Sequence, residues 1–255
     1  MSMKIAVPVL FVPDLVEELT IASSGTALDT NWLRLIINEF DDHSLEQAIL
    51  LKERGGGQVT VIVPESEGAD DILFAAAAKG ADQLIKLSGD FTEANSHALA
   101  RIYCSLLKEL QPDLILTGVQ AHNDLDGSLG PLLAEYLGMP FVGYVAGVVV
   151  TDGKATVRKE YPGGLIAEIE VVLPAVLGIQ AAEHPPRYVA YSKIRQIMST
   201  AKIESRPVGD FNLEGGVTIS RMFQPEATSR ATMIEGDVDE VAAGILGVFK
   251  ELGVL

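Results

Sequence analysis

A single cysteine, Cys104, among 255 residues leaves no partner for an internal disulfide and excludes a CxxC redox centre. Its setting, Arg101-Ile-Tyr-Cys-Ser-Leu-Leu107, is helical in pattern, so the thiol is expected to be buried and structural. Basic residues are also scarce: 19 lysines and arginines face 35 acids, a formal charge of −16 spread along the chain rather than gathered in a tail. Such a field repels nucleic-acid phosphates and anionic lipid, which argues against a nucleic-acid partner. The apolar runs, such as Ile5–Val12 and Val171–Ile179, fall short of the ~18 to 20 residues of a membrane helix, so no membrane insertion is expected. Met1-Ser-Met-Lys4 runs straight into a strand-like segment without the basic and apolar regions of a signal peptide, which predicts a cytoplasmic protein. Catalytic signatures are missing too. His43, His97, His122 and His184 are dispersed without metal-ligand spacing, and no Walker lysine, G-x-S-x-G elbow or paired-carboxylate pattern occurs. The chain is therefore not expected to be an enzyme with catalytic residues of its own.

What is present is an alternation of strands and helices in a globular composition, 48% hydrophobic and 21% charged, long enough to bury a full core. Ile5–Val12 reads as a short apolar strand ending at Pro13-Asp14, followed by a surface excursion through Ser23-Ser24-Gly25. Asn38–Asp41 leads into a helix over about Ser44–Arg54, with Leu45, Ala48, Ile49 and Lys52 on one side, stopped by Gly55-Gly56-Gly57. Val59–Val63, Leu84–Leu87 and Asp113–Thr117 read as strands, and Asp70–Lys79 and Ala94–Leu110 as helices. Strands this apolar, alternating with helices, predict a parallel sheet covered on both faces, and right-handed crossovers make it doubly wound.

After Met139 strands follow one another without helices. Val145–Thr151 and Ala155–Glu160 flank the turn dipeptide Asp152-Gly153, and Ile166–Leu173 follows Pro162-Gly163-Gly164, which predicts an antiparallel extension. Pro174–Gln180 supplies one more buried strand. From Ala181 the chain reads as irregular until an amphipathic helix over Val238–Leu252, with Val241, Ile245, Val248 and Leu252 on one face. The expected division is an α/β nucleotide-binding domain over 1–180 and a C-terminal arm over 181–255. An irregular stretch this long suits a segment that folds over a partner subunit.

The most informative segment is Thr117–Gly138. A buried strand ends in Gly118, polar residues turn the chain, and a helix opens near Gly127–Pro131 with Leu129, Leu132, Leu133, Tyr136 and Leu137 toward the sheet. Unpaired amides and the positive end of a helix dipole would meet a phosphate at the carboxyl edge of the sheet. Gly118, Gly127 and Gly130 would let backbone approach a ligand, and Pro131 is tolerated in a first turn. The same pattern also fits a plain capped helix after a strand, and Asp124 and Asp126 oppose a phosphate unless their carboxylates turn outward.

Val12-Pro13-Asp14, Asn38-Glu-Phe-Asp41, Ala78-Lys-Gly-Ala-Asp82, Gly118-x-Gln120, Gly130-Pro131, Gly163-Gly164-Leu165, Leu173-Pro-Ala-Val176 and Pro186-Arg-Tyr188 stand in an order and spacing that resembles the electron-transfer flavoprotein β-subunit family over essentially the whole chain. The resemblance implies a Rossmann-like fold that binds an adenine nucleotide and a role as the small subunit of a heterodimer. In that family AMP, or a second FAD in electron-bifurcating members, sits in the β subunit. The redox FAD is held mainly by the α subunit, and electrons pass from a dehydrogenase to an acceptor oxidoreductase. By position, adenine and ribose would lie against Pro8, Asn38, Glu39, Phe40, Asp41 and Pro64. The phosphate would lie against Gly118, Val119, Gln120, Ala121, His122, Asn123, Asp124, Leu125, Asp126, Gly127, Ser128 and Leu129, chiefly the amides of the last three.

Several positions depart from the family. Glu39 replaces the usual proline, and Gly127 and Leu129 replace side chains that carry an amide or hydroxyl, although backbone amides do not depend on side-chain identity. Leu15 takes the place of an aromatic near the flavin in some relatives. The segment Arg187–Met198 matches a recognition loop that docks on a dehydrogenase, with Tyr191 at its anchor position and Ser192 in place of proline. A tyrosine is a good interface anchor, and an equally simple reading has Tyr191 covering the core. Two other classes remain: a stand-alone nucleotide sensor resembling universal-stress proteins, which would not need the tail after Ala181, and a small enzyme, which would need an attacking group near the turn.

Overall fold

The computed structural model describes residues 2–92, 94–124, 127–225, 231 and 233–254. In chain order the elements are β1 (Lys4–Pro8), β2 (Phe11–Pro13), β3 (Leu35–Ile37), α1 (Glu39–Gly55), β4 (Gln58–Pro64), α2 (Ala69–Lys79), β5 (Gln83–Ser88), α3 (Ser96–Leu110), β6 (Leu114–Gly118) and α4 (Leu129–Leu137). They continue with β7 (Phe141–Thr151), β8 (Lys154–Tyr161), β9 (Leu165–Val172), β10 (Ala175–Ile179), α5 (Tyr191–Met198), β11 (Ile203–Pro207) and α6 (Val238–Glu251). Among the described residues, nine strands form one sheet in the order β11-β5-β4-β1-β6-β10-β7-β8-β9, and β2 and β3 form a separate antiparallel pair. The sheet is parallel from β11 to β7 and antiparallel across β8 and β9.

The central parallel strands β1, β4, β6 and β10 are buried on both faces because their residues alternate between two cores. Ile5 and Val7 of β1 point to the side covered by α1 and α2, with Leu45, Ile49 and Leu73. Ala6 points to the side covered by α3 and α4, with Tyr103, Leu107 and Leu133. Helix α1 has three acids in its first turn and Lys52 and Arg54 in its last, complementing its dipole. Lys52 also closes the next loop, donating to the Gly80 carbonyl at 2.9 Å and to Asp82 at 2.5 Å. The chain lays β4 and β5 on one side of β1, crosses the sheet through α3, and returns to lay β6 on the other side. The fold is thus doubly wound, with its reversal between β1 and β6.

Two local expectations are corrected. Ile5–Val12 is not one strand: the sheet loses it at Pro8, and Phe11–Pro13 pairs instead with Leu35–Ile37 inside the surface excursion. The Leu10 amide, just past the break, is turned away from the sheet ladder and toward a side-chain carboxylate. The stretch after Ala181 is also less irregular than its composition suggests. It contains α5, which rests on α2, and β11, which adds in parallel to β5 and closes that edge of the sheet. β11 reads Ile-Glu-Ser-Arg-Pro, without the alternation of a half-buried strand, and it is the open ladder of β5 that makes it one.

Beyond β11 the arm is fastened at a few points. Arg101 donates to the carbonyls of Asn212 and Glu214, Asn95 donates to those of Leu213 and Gly215, and Phe91 stacks on Phe211. The Met222 amide then reaches Gly25 of the excursion. Asp237 and Glu240 form a reciprocal capping box that starts α6, yet no side chain of α6 is buried, and Ile245, Leu246, Val248, Phe249 and Leu252 all stand exposed. A core truncation and an arm truncation should therefore differ sharply. Leu116→Ala, in the fully buried centre of β6, should lower the unfolding free energy by about 2 to 5 kcal/mol in urea titrations. Leu252→Ala should change it by less than about 0.5 kcal/mol.

Candidate nucleotide-binding site

The carboxyl ends of β1 and β6 flank the reversal point, where a crevice opens in folds of this topology. Helix α1 starts beside it, and two of its first residues are buried there, Asn38 and Asp41, each about 2% exposed. Asp41 accepts a hydrogen bond from the Leu10 amide with one carboxylate oxygen and from the Gly118 amide with the other, both at 2.8 Å. Asn38, at the cap position of α1, makes no capping bond and instead donates its side-chain amide to the Gln120 carbonyl at 2.9 Å. One helix start thereby holds the chain after β1 and the turn after β6. A narrow crevice results, lined by Leu10, Asn38, Asp41, Gly118, Val119, Gln120, Ala121, Asp124, Gly127 and Leu129.

The turn is itself tightly wound. Ala121 and Asp124 exchange backbone hydrogen bonds at 3.2 and 3.0 Å, and the Gly127 amide donates to the Asp124 carbonyl at 3.3 Å. Gly127 has φ +60, and a Cβ there would sit 2.2 Å from the Val119 carbonyl oxygen, so no other residue fits without moving the turn. The first intrahelical bond of α4 runs from Leu132 N to Ser128 O at 3.0 Å, so the amides of Leu129 and Gly130 have no carbonyl within the helix. Pro131, next in that first turn, has no N–H to lose. Two hydroxyls nearby, Thr117 Oγ1 and Ser128 Oγ, are buried without a hydrogen-bond partner among the described residues.

The residues expected at the site divide into groups. Asn38, Asp41, Gly118, Val119, Gln120, Ala121, Asp124, Gly127 and Leu129 line the crevice. Ser128 lies at the helix start with its hydroxyl enclosed, and Phe40 backs Gly118. Pro8 and Pro64 are buried at the ends of β1 and β4, outside the lining, while Glu39, His122 and Asn123 face solvent. Leu125 and Asp126 lie outside the described residues. Leu15 is 53% exposed in the excursion, and Tyr191 is 68% exposed as the first residue of α5. Neither is among the residues that line the crevice.

The glycines expected to admit a ligand serve packing as well. A Cβ on Gly118 would lie 2.5 Å from Asp41 Oδ1 and 2.8 Å from the Phe40 Cβ, so this glycine lets α1 approach β6. A Cβ on Gly130 would meet the Phe141 ring and Thr117 Oγ1 at 2.9 Å. The amide of Gly127, expected free, is engaged with Asp124. Sequence reasoning missed Leu10, whose amide the Asp41 carboxylate holds, and Thr117. The two-residue offset of Leu10 from Pro8, which breaks the strand, was the available signal for the first. For the hydroxyl of Thr117 there was none, because its enclosure depends on α4.

Among the described residues no group of three or more His, Cys, Asp or Glu side chains is placed to hold a metal ion, and no helix is long and apolar enough to cross a membrane. Fold and crevice together define an α/β protein of the doubly wound, Rossmann-like type. The family model of the electron transfer flavoprotein domain matches residues 27–210. Over 262 residues the chain is 34% identical to the electron transfer flavoprotein subunit beta of Methylophilus methylotrophus, covering 98% of each chain. The subunit of the same name from Syntrophomonas wolfei is 34% identical over 83% of this chain and 82% of its own. That of Clostridium acetobutylicum is 31% identical over 98% of each. The chain belongs to the electron-transfer flavoprotein β-subunit family, a family of electron-transfer proteins.

Burial pushes the Asp41 carboxyl up from 3.8 to about 6, against the opposing pull of the Leu10 and Gly118 amides and the Asn38 side chain. The folded protein therefore holds this proton more tightly than the unfolded chain. The stability it contributes is fully present below about pH 3.8 and is lost as the pH rises through about 6. At neutral pH the ionised carboxylate serves both amides. The difference in unfolding free energy between the wild type and Asp41→Asn, which cannot titrate, should fall by about 2 kcal/mol between pH 4 and pH 7 in urea titrations.

Proposed function

We propose that the chain is the small subunit of a heterodimeric electron-transfer flavoprotein, holding AMP in the crevice between β1 and β6 and helping to position the FAD of an α subunit. The complex would carry electrons from a donor dehydrogenase to an acceptor oxidoreductase. The observation that carries the nucleotide reading is the meeting, at the point where the sheet reverses, of the α1 start with the glycine turn that opens α4. The residues present fit such a group. Leu129 and Gly130 offer first-turn amides for a phosphate, and Thr117 and Ser128 add two hydroxyls without partners among the described residues. Gly127 keeps the turn free of a side chain. A second FAD in place of AMP would use the same phosphate contacts. The bound FAD of the complex supplies the redox chemistry, and this chain supplies the surface against which it is oriented.

The arm supports the partner reading. Val217, Ile219, Phe223 and the apolar residues of α6 stand exposed on a chain whose own core is complete without them. An obligate interface of roughly 2,000 Å² or more would cover a surface of this kind. Tyr191, with Arg195 5.7 Å from its ring centre, projects from a separate place on α5, as a docking anchor for the dehydrogenase would.

Heat-released ligands from the complex co-purified with its flavoprotein neighbour should contain AMP equimolar with this chain, read by mass spectrometry, in addition to FAD. Two equivalents of FAD without AMP would move the assignment to a bifurcating type, and no complex on size-exclusion chromatography would remove the heterodimer. Tyr191→Ala should weaken the encounter with the donor dehydrogenase by about 1 to 4 kcal/mol while leaving the flavin spectrum and thermal midpoint of the complex unchanged. Loss of FAD or early unfolding in that variant would make Tyr191 a structural residue.

A further inference from the structure

The chain leaving β10 is laced to the outer side of α1. The Ala182 amide donates to His43 Nδ1 at 3.1 Å, and Glu183 pairs with Arg54 and Gln47. At Arg187 the lacing becomes a two-acid clamp. Its backbone amide donates to Glu46 at 2.9 Å, its Nε and one terminal nitrogen reach both oxygens of Glu46 at 2.8 to 3.0 Å, and its terminal nitrogens reach Glu53 at 2.6 and 3.1 Å. The Glu46 side chain is only 3% exposed. Hydrogen bonds to Glu53 and Glu46 hold the guanidinium firmly charged, and those from Arg187 lower Glu53.

Burying a carboxylate is costly, and an enclosed ion pair is commonly no more stabilising than an apolar pair of the same volume. What the pair adds is direction, because the planar fork of an arginine fits a carboxylate in one orientation and here the same residue's backbone is held as well. The next residue, Tyr188, is 90% exposed, and three further on Tyr191 opens α5. At the far end the half-buried Ile194 and Ile197 sit on the side of α5 nearer the body, and Ile203 enters the sheet.

We propose that Glu46 and Glu53, acting through Arg187, are positioning residues that fix the angle at which the tyrosine-bearing segment 188–193 is presented to a protein partner. The docking role of that segment rests on the reading of Tyr191 given above; the clamp is a separate claim. Hydrogen exchange of the full-length protein tests it. Arg187→Lys keeps the charge and loses the fork, and should raise amide exchange across 187–198, where the Arg187 amide and those from Lys193 onward are hydrogen-bonded, at least about tenfold while leaving β1, β4 and β6 unchanged. Glu53→Gln, at the solvent side of the clamp, should give a smaller rise in the same peptide and keeps the test open if the Arg187 variant folds poorly. The apolar pair Glu46→Leu with Arg187→Met should bring the thermal midpoint back toward wild type and leave exchange across 187–198 high. Wild-type exchange in Arg187→Lys, exchange raised equally everywhere, or restoration of both midpoint and protection by the apolar pair would each overturn the proposal. In the electron-transfer assay, Arg187→Lys should raise the apparent KM for the complex several-fold at unchanged kcat. If Tyr191→Ala leaves that assay unaffected, the docking reading fails while the exchange data still decide the clamp.

Discussion

The Asp41 carboxylate takes one amide from each side of the point where the sheet reverses, Leu10 after β1 and Gly118 at the end of β6. Neither amide has a strand to bond: one follows Pro8, where the ladder of β1 stops, and the other ends β6. A buried orphan amide costs about 1 to 3 kcal/mol, and a buried carboxylate without donors costs more, so the three groups are tolerable only together. Their joint geometry demands that α1 lie close to β6, and Gly118 is the residue that permits it. Tyr103, fully buried beneath, has its hydroxyl driven well above its ordinary pKa by burial and by Asp41, and directs it at the Val9 carbonyl.

From that contact α1 runs through 17 residues to the far side of the molecule, and each part of it holds a different piece of chain. Its start holds the crevice through Asn38 and Asp41. Its middle and end hold the exit of β10 and the approach to α5 through His43, Glu46, Gln47, Glu53 and Arg54. This explains an otherwise odd helix, in which Ser44, Glu46 and Gln47 are as buried as Leu45 and Ile49. These three polar residues face other chain segments rather than water, and each finds a partner: Ser44 donates back to the Phe40 carbonyl, and Glu46 and Gln47 bond Arg187 and Glu183.

The arm obeys the opposite logic. The two cores close around β1, β4, β6 and β10 with helices on both sides, and nothing in α6 is needed to complete them. A well-capped amphipathic helix whose apolar side meets water is stable in context only when something else covers it. Membership of a family of subunits supplies the natural place for that cover.

The succession of elements was legible in the sequence because hydrophobic periodicity and glycine or proline punctuation are local signals. Val59–Val63, Asp70–Lys79, Ala94–Leu110 and the α6 helix lie within a few residues of where pattern alone put them. The crevice was legible as a segment, from Gly118 to Leu129, and so were Asn38 and Asp41. Tertiary structure alone decided which partners each of these meets. β10 enters between β6 and β7, β11 becomes a strand at the open edge of β5, and Phe11–Pro13 finds Leu35–Ile37, because a strand is completed by hydrogen bonds to residues far away in sequence. For the same reason the sequence could show an aspartate at position 41 and a glycine at 118, but only the folded chain, which removes the carboxylate from water and places it 2.8 Å from the Gly118 amide, makes the one the acceptor that the other's amide requires.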